Sequence, residues 1–239
     1  MANTVLHTAD TRGHAKHGWL DAHHTFSFAN YHDPARTHFG VLRVLNDDII
    51  DPGMGFGMHP HDNMEIITIP IEGELEHKDS MGNTGVIKKN DVQVMSAGTG
   101  VYHSEYNKSK EHKINLLQIW LFPNKENITP RYGQLTFKPE ERVNKWQQII
   151  SPDQKGDGMW IQQDAWFNLG KFEKNFAIDY SIQKKGNGVY VFVIEGSVFV
   201  NGQLLNKRDG MGMWDVDKIQ LKAEAESEVL VMDVPMEME

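Results

Sequence analysis

The 239-residue chain carries 24 Lys and Arg against 33 Asp and Glu, a formal net charge of −9, and it has no cysteine. Disulfides and thiolate metal sites are thereby excluded, and an acidic surplus without a basic block argues against direct nucleic-acid binding through phosphates. Hydrophobic residues at 39% and charged residues at 24% suit a packed chain of one large domain or two small ones. No apolar run approaches the roughly 18 residues of a membrane span. No basic region followed by an apolar stretch opens the sequence, so a cytoplasmic protein without membrane contact is expected; a monomer is expected as well.

Most of the chain reads as short strands. Val41-Leu42-Arg43-Val44-Leu45 alternates apolar and polar residues before an expected turn at Asn46-Asp47-Asp48. Glu65-Ile66-Ile67-Thr68-Ile69 is β-branched and closes at Glu72-Gly73, and Leu117-Gln118-Ile119-Trp120-Leu121 alternates up to Pro123-Asn124. Gly, Asn, Asp and Pro punctuate at short intervals, as in an all-β sandwich or barrel. The charged stretch from Phe137 to Asn144 reads as a connecting segment. Beyond it, Val189–Gly196 repeats the pattern of Ile66–Gly73. Both runs end in Ile-Glu-Gly (Ile71-Glu72-Gly73, Ile194-Glu195-Gly196), and each is followed by another alternating strand. The repeat predicts one fold used twice.

Histidine is distributed unevenly. All twelve lie between His7 and His112, which points to a metal site confined to the first half. The segment from Gly53 to Gly73 reads G-x5-H-x-H-x3-E-x7-G, with His59, His61 and Glu65 at its fixed positions. On a strand, residues i and i+2 share a face. His59 and His61 therefore project together, with Cα atoms about 6.7 Å apart, as two imidazoles converging on one ion about 2.0–2.2 Å from each nitrogen require. His103 and Glu105 repeat the spacing. If the two strands are neighbours in a barrel, four side chains meet at one point. For the carboxylate the spacing offers both Glu65 and Glu105.

These two segments resemble the two cupin motifs, and the chain as a whole resembles the pirin family, whose members include quercetinase-like bacterial proteins. The resemblance rests also on Arg12–Asp21, on His24-Thr25-Phe26-Ser27-Phe28-Ala29-Asn30-Tyr31, on Ser80-Met81-Gly82-Asn83 and on Met95–Gly100. It implies an all-β bicupin: two tandem double-stranded β-helix (jelly-roll) barrels, a metal-binding one over 1–135 and a degenerate one without ligands over 136–239. It also implies His59, His61, His103 and Glu105 as the ligands of one divalent ion, because pirins draw their carboxylate from the second motif. Glu65 is then a residue that orients a histidine from behind, or a surface residue at a strand end. Fe(II) is the expected ion, with Mn, Ni, Co, Cu and Zn also compatible with three imidazoles and a carboxylate.

The implied activity resembles that of quercetin 2,3-dioxygenase. A flavonol-type ring is opened with O2 and carbon monoxide is released, with Glu105 as base and an aromatic small molecule and O2 as partners. The alternative is a non-enzymatic, redox-responsive regulator that binds a protein partner. Aligning the Ile-Glu-Gly turns sets His59, His61 and Glu65 opposite Ile182, Lys184 and Gly188. Aligning Asn90-Asp91 with Arg208-Asp209 sets His103 opposite Leu221. The second barrel is therefore expected to hold no metal. Phe56, Met58 and Met95 are candidate walls of an apolar pocket. His14, His17, His23 and His24 are expected to be structural, and Trp19, Phe26 and Phe28 to be packing residues.

Overall fold

The computed structural model describes residues 2–238. They form four antiparallel-rich sheets, two of seven strands and two of four, with two short 3-10 turns and no α-helix among the described residues. None of the helical segments is long and apolar enough to cross a membrane.

The first barrel pairs a seven-stranded with a four-stranded sheet. The large sheet runs Arg131–Thr136, Asp91–Ser96, Glu65–Glu72, Ile114–Leu121, Leu42–Ile50, Leu20–His24 and Gly13–His17. The small one runs Gly55–His61, Val101–Asn107, Glu74–Asp79 and Thr84–Lys88. The second barrel repeats the plan. Its large sheet runs Asn3–His7, Gly210–Trp214, Asn187–Glu195, Ser227–Pro235, Trp166–Phe172, Trp146–Ser151 and Met159–Trp160. Its small sheet runs Ala177–Ser181, Lys218–Ala223, Ser197–Val200 and Gln203–Asn206. The strand Asn3–His7 thus takes, in the second barrel, the edge place that Arg131–Thr136 takes in the first. It pairs with Gly210–Trp214 from the opposite end of the chain, and His7 Nδ1 meets the Tyr190 hydroxyl at 2.8 Å.

The two large sheets share one core. Leu117, Ile119 and Leu121 from one side and Tyr190, Phe192, Ile194, Leu230, Met232 and Val234 from the other belong to a single apolar cluster. Their strand neighbours face the other way: Val189, Val191, Val193, Val229 and Val231 fill the interior of the second barrel. Strands buried on both faces lose the apolar–polar alternation of half-exposed ones, which is why Val189–Ile194 reads as an unbroken apolar run. The Ile-Glu-Gly repeats have a backbone cause. Gly73 and Gly196 sit at φ of 86° and 79°, and a Cβ on Gly196 would collide with the Glu226 carbonyl oxygen.

One expected turn is strand. Asn46-Asp47-Asp48 lies inside Leu42–Ile50. Its polar side chains find partners brought by tertiary structure: His24 for Asn46 and Arg12 and Arg208 for Asp47. Those contacts override the turn propensity of the triplet. The segment from Phe137 to Asn144 does connect the barrels, through a 3-10 turn at Pro139–Arg142 whose buried Arg142 pairs with Glu228 at 3.0 Å.

Candidate metal centre

Three strands of the small sheet in the first barrel bring an i, i+2 polar pair to the barrel interior: His59 and His61, His103 and Glu105, His77 and Asp79. In register, His103 lies between His59 on one neighbour and Asp79 on the other, and Glu105 lies opposite His77. Tyr102 and Tyr106 point the other way and are exposed, as strand alternation requires.

The ligand atoms of His59, His61 and His103 all lie within 4.8 Å of one another, and so do those of His77, His103 and Glu105. The four residues expected from the sequence are therefore brought to one interior, but as two triads that share His103. His77 is the functional candidate that the motif reading missed. Its signal was present, a His-x-Asp pair with the same spacing, but it sits in a strand outside both motifs.

Each group is held differently. His59 Nδ1 lies 2.7 Å from the Gly57 carbonyl, so its N–H points there and Nε2 is left for a ligand. Glu105, 3% exposed, accepts from Gln118 Nε2 at 3.0 Å, and the single Thr68 hydroxyl proton is shared between Gln118 Oε1 at 3.0 Å and Glu105 Oε1 at 3.5 Å. Burial pushes its carboxyl up to about 7 against those two hydrogen bonds. Burial, then the neighbouring imidazoles, holds His61 near 4 and His103 near 2, so both rings are neutral and able to ligate at pH 7.

Both ring nitrogens of His103 are buried without a hydrogen-bond partner, and so is Nδ1 of His77. Orphaned buried nitrogens are rare in folded proteins. Two half-buried imidazoles and a buried one facing a buried carboxylate make a donor set that fits a divalent ion. Trp120 flanks the cluster, its ring 4.9 Å from that of His61, with Phe28 at a T-shaped angle to it.

The other expectations divide. Phe56 packs beside His59 and Trp19, whereas Met58 is 59% exposed and Met95 belongs to a separate buried cluster with Ile66 and Val101. Glu65 neither lies at the surface nor backs a histidine. It shares a strand face with Ile67 and Ile69, which pack toward the second barrel, and it bonds Ser96 Oγ and the Gln162 backbone N–H. His24 is structural, bonded to Asn46. Phe26 lies in the shared core and Trp19 packs against a satellite cluster. His14 and His23 stack at 4.5 Å with planes 10° apart beside Asp21. Parallel rings cannot aim in-plane lone pairs at one point.

Residues 5–121 match the Pirin family and residues 148–234 match the quercetinase C-terminal cupin domain. A protein of Escherichia coli K12 named quercetin 2,3-dioxygenase is 44% identical over 230 residues, 96% of this chain and 98% of its own. The chain belongs to the pirin family. A pirin-like protein of Caulobacter vibrioides is 40% identical over 94% of this chain and 96% of its own. The crystal structure of the E. coli pirin YhhW in complex with nickel(II) superposes with a TM-score of 0.92 at 43% identity, covering 98% of this chain and 99% of that one. The bicupin architecture expected from the sequence is that of this pirin. The nickel complex of a relative, together with the interior imidazole–carboxylate cluster, supports metal binding.

Proposed function

We propose that this pirin is a metal-dependent, quercetinase-like dioxygenase. Its one divalent ion is held by His59, His61, His103 and Glu105 in the barrel whose strands run from Gly13 to Thr136, beside a metal-free barrel. The boundary expected at 135/136 is corrected by Asn3–His7, which pairs in the second barrel with strands that otherwise begin at Trp146. The observation that carries the reading is the pair of unpartnered ring nitrogens on His103, buried between two other imidazoles on one side and a carboxylate on the other. Identity of 44% across nearly the whole length of a quercetin 2,3-dioxygenase supports the substrate class.

The bound ion supplies a Lewis acid for an aromatic hydroxyl and a centre for O2 chemistry; Fe(II) is the proposed ion, and nickel is the one seen with the relative. The protein's part is positional. Gly57 fixes the His59 ring. Gln118 and Thr68 orient the Glu105 carboxylate, and its Oε1, held only by the longer Thr68 contact, is the atom that takes the proton of the flavonol hydroxyl. Trp120 beside His61 offers an aromatic neighbour for the substrate ring. Ring opening consumes O2 and releases carbon monoxide.

Anaerobic reconstitution with Fe(II), Mn, Ni, Co or Cu, followed by O2 uptake and carbon monoxide measurement over flavonols, tests this. Turnover with matched gas stoichiometry is expected with at least one ion. No turnover with any of them rejects the dioxygenase reading and leaves the regulatory one.

A further inference from the structure

Among the buried polar atoms around the ligand cluster, two gaps are complementary. The first is on His103. A metal on one nitrogen of an imidazole fixes the proton on the other, and that N–H needs an acceptor. His59 has such an acceptor in the Gly57 carbonyl; His103, 1% exposed, has none at either nitrogen. The second gap is on His77, 0% exposed, whose Nδ1 has no donor.

The other nitrogen of His77 is accounted for. Nε2 lies 3.3 Å from Asp79 Oδ2. Asp79 in turn accepts from the backbone N–H groups of Met81 and Asn83 and from Asn83 Nδ2, all within 3.0 Å. Those three donors spread over both of its oxygens and fix Asp79 as an acceptor. His77 therefore carries its proton on Nε2 and presents Nδ1 as a bare lone pair. The His77 and His103 rings are 5.3 Å apart at 50°, and Tyr132 stacks on the far face of the cluster, 4.8 Å from His77.

We infer that His77, set in its tautomer by Asp79, is the positioning residue for His103, its Nδ1 accepting the N–H that His103 presents once its other nitrogen is given to a metal. The chain Asn83–Asp79–His77–His103 then extends the ligand set into the turn at Asp79–Asn83. This rests on the metal site proposed above. It adds a residue that neither cupin motif contains and that the ligand geometry alone does not require. Glu105 is the competing acceptor for His103, but in the site proposed above its carboxylate is given to the ion, which leaves the His77 lone pair for the His103 N–H.

The test uses the full-length protein and nickel(II). Wild type, His77→Phe, His77→Gln and Asp79→Asn are titrated against a competing chelator, and thermal melting checks their folding. His77→Phe keeps the ring volume but has no acceptor, and is expected to weaken nickel binding by about 10–100-fold. His77→Gln offers a carbonyl oxygen and is expected to restore most of that affinity. In Asp79→Asn the amide donates to Nε2, moves the His77 proton to Nδ1 and is expected to weaken binding as His77→Phe does.

A second measurement does not need the metal. Imidazole nitrogen shifts of metal-free protein labelled at histidine are expected to show His77 as the Nε2–H tautomer. Folded His77→Phe with wild-type affinity, a Nδ1–H tautomer at His77, or a metal-ligated nitrogen on His77 itself in the zinc-loaded protein each overturns the inference. Wild-type protein that takes up no nickel rejects the metal site instead, while the tautomer of His77 is still read independently.

Discussion

Where the first barrel has Glu105, the second has Leu221; where it has His103 and His59, the second has Ile219 and Tyr180; where it has His77, the second has Val200. The equivalence follows from cross-strand register. Glu105 faces His77 and His103 faces His59 in one sheet, while Leu221 faces Val200 and Ile219 faces Tyr180 in the other. All four replacements sit in one apolar cluster. The same strand order can thus enclose either a dry core or a polar chamber, and the choice lies in alternate residues of the small sheet. The stabilities of the two interiors should differ accordingly: one held by packing, the other strained by buried polar groups until a cation arrives.

The largest expected effect lies in the second barrel. Leu221→Ala removes a side chain that is 1% exposed and should cost about 2–5 kcal/mol of stability. Denaturant unfolding should show that loss, with metal content by elemental analysis unchanged. Metal loss in this variant would break the division between the barrels.

Next is the equivalent position in the first barrel. Glu105→Gln keeps the size and one oxygen but removes charge and basicity. It should retain some metal through the three histidines and lower flavonol turnover by about 100-fold, with carbon monoxide release falling in step with O2 uptake. Turnover within a few-fold of wild type would remove Glu105 from the mechanism.

Acid should empty the first barrel. Burial holds His61 near 4 and His103 near 2, so protons compete for these two rings only well below the ordinary imidazole value of about 6.5. Metal release into chelator, followed against pH, should have its midpoint below 6.5. A midpoint above it would show that these rings are not shielded as their burial implies. The same depressed values mean that the unfolded chain binds more protons than the folded one as pH falls from about 6.5, so metal-free protein loses stability in that direction.

The last effect is one of sign. Burial, then the Asp47 and Glu105 carboxylates, pushes Asp48 up to about 8 from an ordinary 3.8. Between those values the folded state binds the extra proton, so this group's contribution favours folding at low pH and is lost as pH rises toward 8. Asp48→Asn should raise the melting temperature of metal-free protein at pH 9 more than at pH 4. An equal shift at both would show that Asp48 is not a buried, protonated carboxyl.

The i, i+2 pairs and the repeated Ile-Glu-Gly turns were legible in the sequence because strand period and the need for positive φ are local. They carried the β architecture, its duplication and the residues expected at the metal. The alignment of the second barrel was legible only to its end points. The expected partners of His59, His61 and His103 were Ile182, Lys184 and Leu221. The strand pairing sets Tyr180 opposite His59 and Ile219 opposite His103, two residues away, because the loops before Glu65 and after Asp91 differ in length from their counterparts. An even slip preserves the face, so Leu221, expected opposite His103, fills the same interior as Ile219.

What only the tertiary structure decided is which distant groups meet. The sequence by itself determined that His103 and Glu105 share a face. It did not determine that Glu105 stands opposite His77, that Glu65 turns toward Ser96 and Gln162 on the far side of its strand, or that Asn3–His7 closes a barrel whose other strands begin at Trp146. Those outcomes depend on strand register and on which face of the large sheet meets the second barrel. Register is set by packing over the whole sheet, and no local pattern encodes it.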